Sequence, residues 1–189
     1  MRYLSDGPKT SKHIFLFAHG AGAPMEHPWM TSVAKTMGEH GIRVVRFNFG
    51  YMEAKRKAPD RQPVLLDTWR SVIEEHGGGA KVVIGGKSMG GRMASMIADE
   101  MNVRGLVCFG YPFHPPGKPE AVRTAHLEHL KTPALILQGT KDPFGTREDV
   151  AGYKLSKAIR VEWIEKGDHS LKGGLPQAIA SAVTFNIEH

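Results

Sequence analysis

Val82-Val83-Ile84 is a short β-branched run that leads into Gly86-Lys87-Ser88-Met89-Gly90, and a helical pattern of Met93, Ala94, Met96 and Ile97 follows at once. Few arrangements let a chain leave a buried strand and enter a helix through so short a turn. In that context the spacing Gly-x-Ser-x-Gly predicts a sharp turn with Ser88 at its apex and its hydroxyl clear of the sheet. Glycine is expected at 86 and 90 because a Cβ at either place would collide across the turn. Holding a serine in such a conformation costs about 1–3 kcal/mol, and it persists only where the surrounding packing enforces it. Unpaired N–H groups at the head of the next helix would favour a developing negative charge. The same residues could end a phosphate-binding loop, Gly-x-x-x-x-Gly-Lys-Ser/Thr. That motif needs glycine at 81, where Lys81 stands, and Val82 to Ile84 read as strand rather than loop.

The rest of the chain repeats this alternation of strand and helix. Residues 1–12 are polar and turn-rich and read as a surface arm. His13–Ala18 is a continuous apolar run, as expected of a strand covered on both faces. Trp29–His40 has helical spacing, with Gly41 as its stop, and Arg43–Phe49 is the next strand. A helix over Leu65–His76 precedes the Ser88 turn, whose own helix runs from about Ser88 to Glu100. Gly105–Phe109, Pro133–Gln138 and Arg160–Ile164 complete the strands, and Leu175–Ile187 is a last amphipathic helix. The order predicts one α/β domain over 1–189, a mostly parallel sheet of about six strands with helices on both faces. In such sheets the strands' C-terminal ends share one edge, where ligands bind.

With 189 residues, 41% of them hydrophobic, the chain can bury a full core without disulfides. Its single cysteine, Cys108, lies inside a predicted strand, reads as a buried structural thiol, and fits a reducing compartment. No leader-like segment and no run of ~18 apolar residues is present, so a cytoplasmic protein with no membrane partner is expected. The net charge of +6 raises the question of nucleic acid, but its densest cluster is only Lys55-Arg56-Lys57 with Arg61. Flanked by Pro59 and Pro63 and without a recognisable binding module, this loop reads as solvated surface, with no nucleic-acid partner.

Two further strand ends carry reactive side chains. Asp142 follows the strand ending at Gln138, and His169 follows the strand ending at Ile164. Ser88, Asp142 and His169 in that chain order match the serine, carboxylate and histidine of one known hydrolytic arrangement. In such a set the serine attacks a carbonyl, the imidazole carries the proton, and the carboxylate orients the imidazole. Asp142 could instead cap a turn, and His169 could be a surface histidine; their places after strands favour the reactive reading. Asp168 is nearer His169 in sequence, but adjacent side chains rarely point at one another. His19-Gly20-Ala21-Gly22 follows the first strand, where a second oxyanion donor is expected. Ala21 and Met89 N–H are the expected pair, with Gly22 and Ala23 as substitutes. A dinucleotide reading of Gly20-x-Gly22 fails because Met25 occupies the third glycine place and Arg46-Phe47-Asn48 offers no acid for a ribose. His126 and His129 have helical spacing but lack a third ligand, so neither a metal nor an organic cofactor is expected.

With these residues placed, the chain resembles the α/β-hydrolase superfamily over nearly its full length. It is most similar to a small, lidless, dienelactone-hydrolase-related group that includes bacterial proteins and testis-expressed hydrolase-like proteins of animals. The shared stretches are His19 to Met25, Gly86 to Arg92, Gly110 to Pro119, Gln138 to Gly145 and Gly167 to Ser170. The resemblance implies the α/β-hydrolase fold without a lid domain and a Ser88–Asp142–His169 triad. It names no substrate. A small-molecule acyl substrate is the expected partner; a non-catalytic binding or complex-assembly protein of the same fold is the alternative. The proline-rich stretch from Tyr111 to about Leu130 stands where a lid is commonly inserted, so the site should be open and favour modest acyl groups. Met25, Tyr51, Tyr111, Phe113 and His114 are expected to wall the substrate pocket. Lys87, Arg92 and Lys141 bracket the three reactive residues and would favour an acidic substrate if their charges reach the cleft.

Overall fold

A computed structural model describes residues 1–189. Its sheet has seven strands: β1 (Tyr3–Asp6), β2 (Ile14–Ala18), β3 (Arg43–Phe47), β4 (Val82–Lys87), β5 (Gly105–Phe109), β6 (Ala134–Gly139) and β7 (Ile159–Ile164). Their spatial order is β1-β3-β2-β4-β5-β6-β7, so β4 and its Ser88 turn occupy the centre. Every pairing is parallel except that of β1 with β3. The expected surface arm is thus corrected. Residues Tyr3 to Asp6 pair antiparallel with Phe47 to Val44 and close the sheet edge. Asp6 lies 2.8 Å from the almost fully buried Arg46, which also donates to the Met25 carbonyl and the Thr31 hydroxyl. A four-residue edge strand containing Ser5 and Asp6 has no apolar alternation to reveal it; its partner supplies the order.

Helices cover both faces. On one side α1 (Pro28–Glu39) and α6 (Leu175–Glu188) bury Met37, Ala178 and Phe185 against Phe15, Phe17, Val83 and Val107. On the other, α3 (Gln62–Glu75) and α4 (Met89–Ile97) bury Trp69 and Met93 against Leu16, Ile84, Leu106 and Ile136. Successive strand residues therefore alternate between two cores, which is why the strands read as unbroken apolar runs. The helix expected to begin at Leu65 begins at Gln62, because Pro63 is tolerated in a first turn where no N–H partner exists. Two short helices, α2 (Gly50–Glu53) and α5 (Arg147–Ala151), complete the helical set.

Between β5 and β6 there is no lid. The chain makes a 3-10 turn at Ala125–Glu128 and lays Tyr111, Phe113, Leu127 and Leu130 into the α4-side core. No helix is long and apolar enough to cross a membrane. Cys108 is buried, and burial pushes its thiol pKa up, so it is held as the neutral, unreactive form.

Candidate active site

The turn after β4 is built as its spacing requires. Ser88 has φ 50° and ψ −115°, a left-handed conformation unusual for a residue with a side chain. A Cβ on Gly86 would stand 2.5 Å from the Ala18 carbonyl oxygen and 2.7 Å from the Gly90 carbonyl carbon. On Gly90 it would stand 2.6 Å from the Ala18 and His19 carbonyl oxygens. All these neighbours are backbone and cannot rotate away. Gly86→Ala is therefore expected to lower stability by about 1–3 kcal/mol in urea unfolding, the usual range for overpacking. Trp69 sits beneath the turn, fully buried, and its indole N–H donates to the Gly90 carbonyl at 3.3 Å.

Three strand ends converge here. Ser88 Oγ lies 2.9 Å from His169 Nε2, and His169 Nδ1 lies 2.8 Å from Asp142 Oδ2. Asp142 is fully buried, while the His169 side chain keeps 23% of its surface open. Asp142 Oδ1 accepts from Phe144 N–H at 2.9 Å, and Oδ2 accepts from Gln138 Nε2 at 3.0 Å. A carboxylate so surrounded by donors orients Nδ1–H toward itself and leaves Nε2 as the acceptor for the serine hydroxyl. Asp168, the rejected alternative, is exposed and accepts instead from Ser170 and Lys172 N–H in its own turn.

Three supporting residues were not singled out from the sequence. Gln138, fully buried, receives Tyr111 N–H on its Oε1 and donates to Tyr111 O, Gly145 O and Asp142. One polar residue inside the apolar run Ala134-Leu135-Ile136-Leu137 was the available signal. Phe144 stacks on the His169 ring at 4.2 Å. Trp29 donates from its indole to the Ser170 carbonyl at 2.9 Å, steadying the histidine loop.

The loop after β2 is fixed by two buried groups. His19 Nδ1–H donates to Gly20 O at 2.6 Å, and its Nε2 accepts Phe49 N–H at 3.1 Å. Burial lowers its pKa and favours the neutral ring that this pairing requires. Tyr51 donates its hydroxyl to Ala21 O at 2.9 Å. With the carbonyls tied back, Ala21, Gly22 and Ala23 N–H have no partner in the chain, and Ala21 lines the cleft at Ser88. Met89 is the first residue of α4, where N–H groups lack helical acceptors.

The cleft measures about 380 Å³ and is lined by Gly20 to Ala23, Trp29, Met30, Phe144, Ser88 and His169, among others. None of the five residues expected to wall it does so. Met25, Tyr51, Tyr111 and Phe113 are fully buried, and His114 is 4% exposed. Met25 is held by Asn48 and Arg46, Tyr51 by the Ala21 carbonyl, and Tyr111 and Phe113 pack in the α4-side core. His114 turns to Asp149 at 3.3 Å. Large rings beside a motif lose more water by entering the core than by facing an open cleft, and here they took that course.

Of the three bracketing cations, only Lys87 lines the cleft; Lys141 is exposed elsewhere, and Arg92 faces Tyr111 and Arg123. Lys87 donates to the His169 carbonyl and lies 5.8 Å from the centre of the Trp29 ring. Burial pushes its pKa down to about 8, opposed by Asp142 and Asp168. The folded protein then binds fewer protons here than the unfolded chain, whose lysine titrates near ~10.4, so this site adds stability as pH rises from about 8. Buried Tyr111 acts oppositely at high pH, because its raised pKa makes the folded state the better proton binder. The difference between wild type and Lys87→Met isolates the lysine. Urea midpoints of wild type should gain on the variant between pH 8 and 10, and parallel curves would contradict the assignment.

A second serine–histidine contact, Ser95 Oγ to His126 Nε2 at 2.8 Å, lies in the core. Ser95 is 2% exposed, its hydroxyl also approaches Arg92 O and Tyr111 OH, and the His126 ring makes its contacts with the Ser95 and Tyr111 hydroxyls rather than with a carboxylate. Burial and Arg92 lower the His126 pKa to about 4, leaving it a neutral structural partner. His129 is exposed and does not share this contact.

Comparison with known proteins agrees with this architecture. An alpha-beta serine hydrolase homologue from Coxiella burnetii is 21% identical, with a TM-score of 0.77 over 96% of this chain and 89% of that one. Est1E from Butyrivibrio proteoclasticus is 16% identical, with a TM-score of 0.77 over 98% and 93%. A serine hydrolase without lid from Xanthomonas campestris is 19% identical, with a TM-score of 0.76 over 98% and 87%. At these identities the likeness is one of fold. A family model described as an alpha/beta hydrolase domain matches residues 11–178, nearly the whole chain. By that match, with a central strand–serine–helix turn and a lidless, mostly parallel sheet, the chain belongs to the alpha/beta hydrolase family.

Proposed function

We propose that the protein is a serine hydrolase that cleaves an ester, thioester or similar carbonyl of a small acyl compound through an acyl-serine intermediate. The observation that carries this is the unbroken line of hydrogen bonds from Ser88 through His169 to Asp142, opening on a cleft. Ser88 Oγ attacks the carbonyl carbon while its proton passes to His169 Nε2. The oxyanion is received by Met89 N–H and one N–H of the Ala21 loop, each donor contributing about 2.7–4 kcal/mol to the transition state. Collapse breaks the bond to the leaving group, which takes the proton from His169. Water then loses a proton to His169 and attacks the acyl carbonyl, releasing the acid and restoring Ser88.

The open, lidless cleft suits acyl groups of modest size, with Trp29 and Phe144 as aromatic surfaces. Est1E has been solved with ferulic acid bound, an aromatic acid of that scale. A reducing, cytoplasmic setting suits the single buried thiol.

A fluorophosphonate probe tests the reading. Labelling of the folded protein that disappears in Ser88→Ala is the expected result. A folded wild type that takes no label would overturn it in favour of a binding or assembly protein.

A further inference from the structure

We propose that the leaving group of the substrate carries phosphate, and that it binds in the basic hollow lined by Arg2, Lys55, Arg56 and Lys57 beside the cleft. This deepens the acyl-serine reading and rests on it.

Ala21 and Gly22 line both spaces. The loop that offers its N–H to the reacting carbonyl is thus also the rim of a second hollow of about 560 Å³. A substrate with its carbonyl at Ser88 meets Trp29, Met30 and Phe144 within the cleft, and the basic hollow beyond the rim. The two spaces differ in chemistry. Only Ala21, Pro24 and Met52 give the hollow apolar side chains, so it offers little to an acyl chain.

The charge of the hollow is cancelled only in part: four cations meet the carboxylates of Glu26, Glu53 and Asp60, which leaves one positive charge in excess. Glu26 pairs with Arg2 at 2.7 Å, while Glu53 accepts from the neutral Asn48 Nδ2 at 2.9 Å and keeps its negative charge. Arg56 pairs with Asp60 at 2.6 Å, which leaves Lys55 and Lys57 without an ion pair. No acidic side chain lines the cleft, where Lys87 adds another cation. Lysine and arginine gathered around one concavity attract and hold phosphate oxygens.

One buried residue locks the basic loop to the rim. Tyr51 donates its hydroxyl to Ala21 O, its carbonyl accepts Arg56 N–H at 2.8 Å, and its N–H donates to Asp60 at 2.9 Å. Burial raises the Tyr51 pKa to about 12, so the hydroxyl keeps its donor proton at neutral pH. The chain at Lys55 turns through φ 54°, and Lys55 and Lys57 both line the hollow. The spacing between Ser88's oxyanion loop and the cations is therefore set by the fold.

Two matched pairs of substrates distinguish the sources of phosphate: acetyl-coenzyme A against acetylpantetheine, and 1-acetylglycerol 3-phosphate against 1-acetylglycerol. In at least one pair kcat/KM should favour the phosphorylated member by roughly 10-fold or more, as charge steering commonly gives. That preference should collapse toward unity in the double variant Lys55→Ala/Lys57→Ala, while turnover of uncharged p-nitrophenyl acetate stays at the wild-type level. Equal kcat/KM within both pairs, or a preference that survives the double variant, would overturn the proposal. If wild type neither turns over p-nitrophenyl acetate nor takes a fluorophosphonate label, the acyl-serine reading itself fails and this proposal with it.

Discussion

Ser88→Ala is expected to reduce turnover of any accepted ester by about 10⁵–10⁶-fold, the scale of loss when a nucleophile that acts in concert with its base is removed. His169 would then have no hydroxyl to deprotonate, and the aligned Asp142 could add nothing, so the three residues fail together. Stability should barely change. The hydroxyl makes one hydrogen bond, to a partly exposed ring that water can satisfy, and alanine inherits the same backbone conformation at φ 50°. Urea unfolding should place the variant within about 0.5 kcal/mol of wild type. Because the remaining rate is so low, the kinetic measurement needs protein expressed and purified without wild-type carry-over. A variant that keeps more than a hundredth of the activity would transfer the chemistry to another residue.

Asp142→Asn is the more discriminating change, because it alters no shape and one proton inventory. At present Oδ2 accepts from both His169 Nδ1 and Gln138 Nε2, and Oδ1 accepts from Phe144 N–H. An asparagine must place its NH₂ at one of these positions. At the Oδ2 place it opposes the Gln138 donor and obliges His169 Nδ1 to accept, which moves the ring proton to Nε2. The imidazole then cannot take the proton of Ser88. At the Oδ1 place the NH₂ faces Phe144 N–H, a donor against a donor in a buried site. A loss of about 10⁴-fold in kcat is expected with the NH₂ at the Oδ2 place, where it imposes the wrong tautomer. The buried mispairing should also cost about 1–3 kcal/mol of stability. Activity should recover partly at high pH, where hydroxide can act without the histidine, and a flat profile would argue against the tautomer mechanism.

What could be read before the fold was known follows from how far each signal reaches along the chain. The elbow glycines were legible because their role is local: Gly86 and Gly90 lie within two residues of Ser88, and the crowding they relieve arises within that turn and the neighbouring strand end. The positions of Asp142 and His169 were legible because each follows an apolar run, and parallel strands with right-handed crossovers deliver all such ends to one edge. Gln138 went unassigned although it is visible in the sequence, because nothing in Leu137-Gln138-Gly139 tells that its amide will bridge Tyr111, Gly145 and Asp142.

The sequence by itself determined the mostly parallel α/β sheet, the strained serine turn and the order in which Ser88, Asp142 and His169 reach the rim. Each of those depends on periodicity or on steric limits acting within a few residues. Tertiary structure alone decided that Tyr3 to Asp6 would be a seventh strand, since an edge takes its order from the hydrogen bonds of its neighbour. It also decided that Met25, Tyr51, Tyr111, Phe113 and His114 would leave the cleft to Trp29, Met30 and Phe144. Which face of a loop a large side chain takes is set by the apolar surface it meets from distant elements, and that surface exists only once the chain has closed on itself.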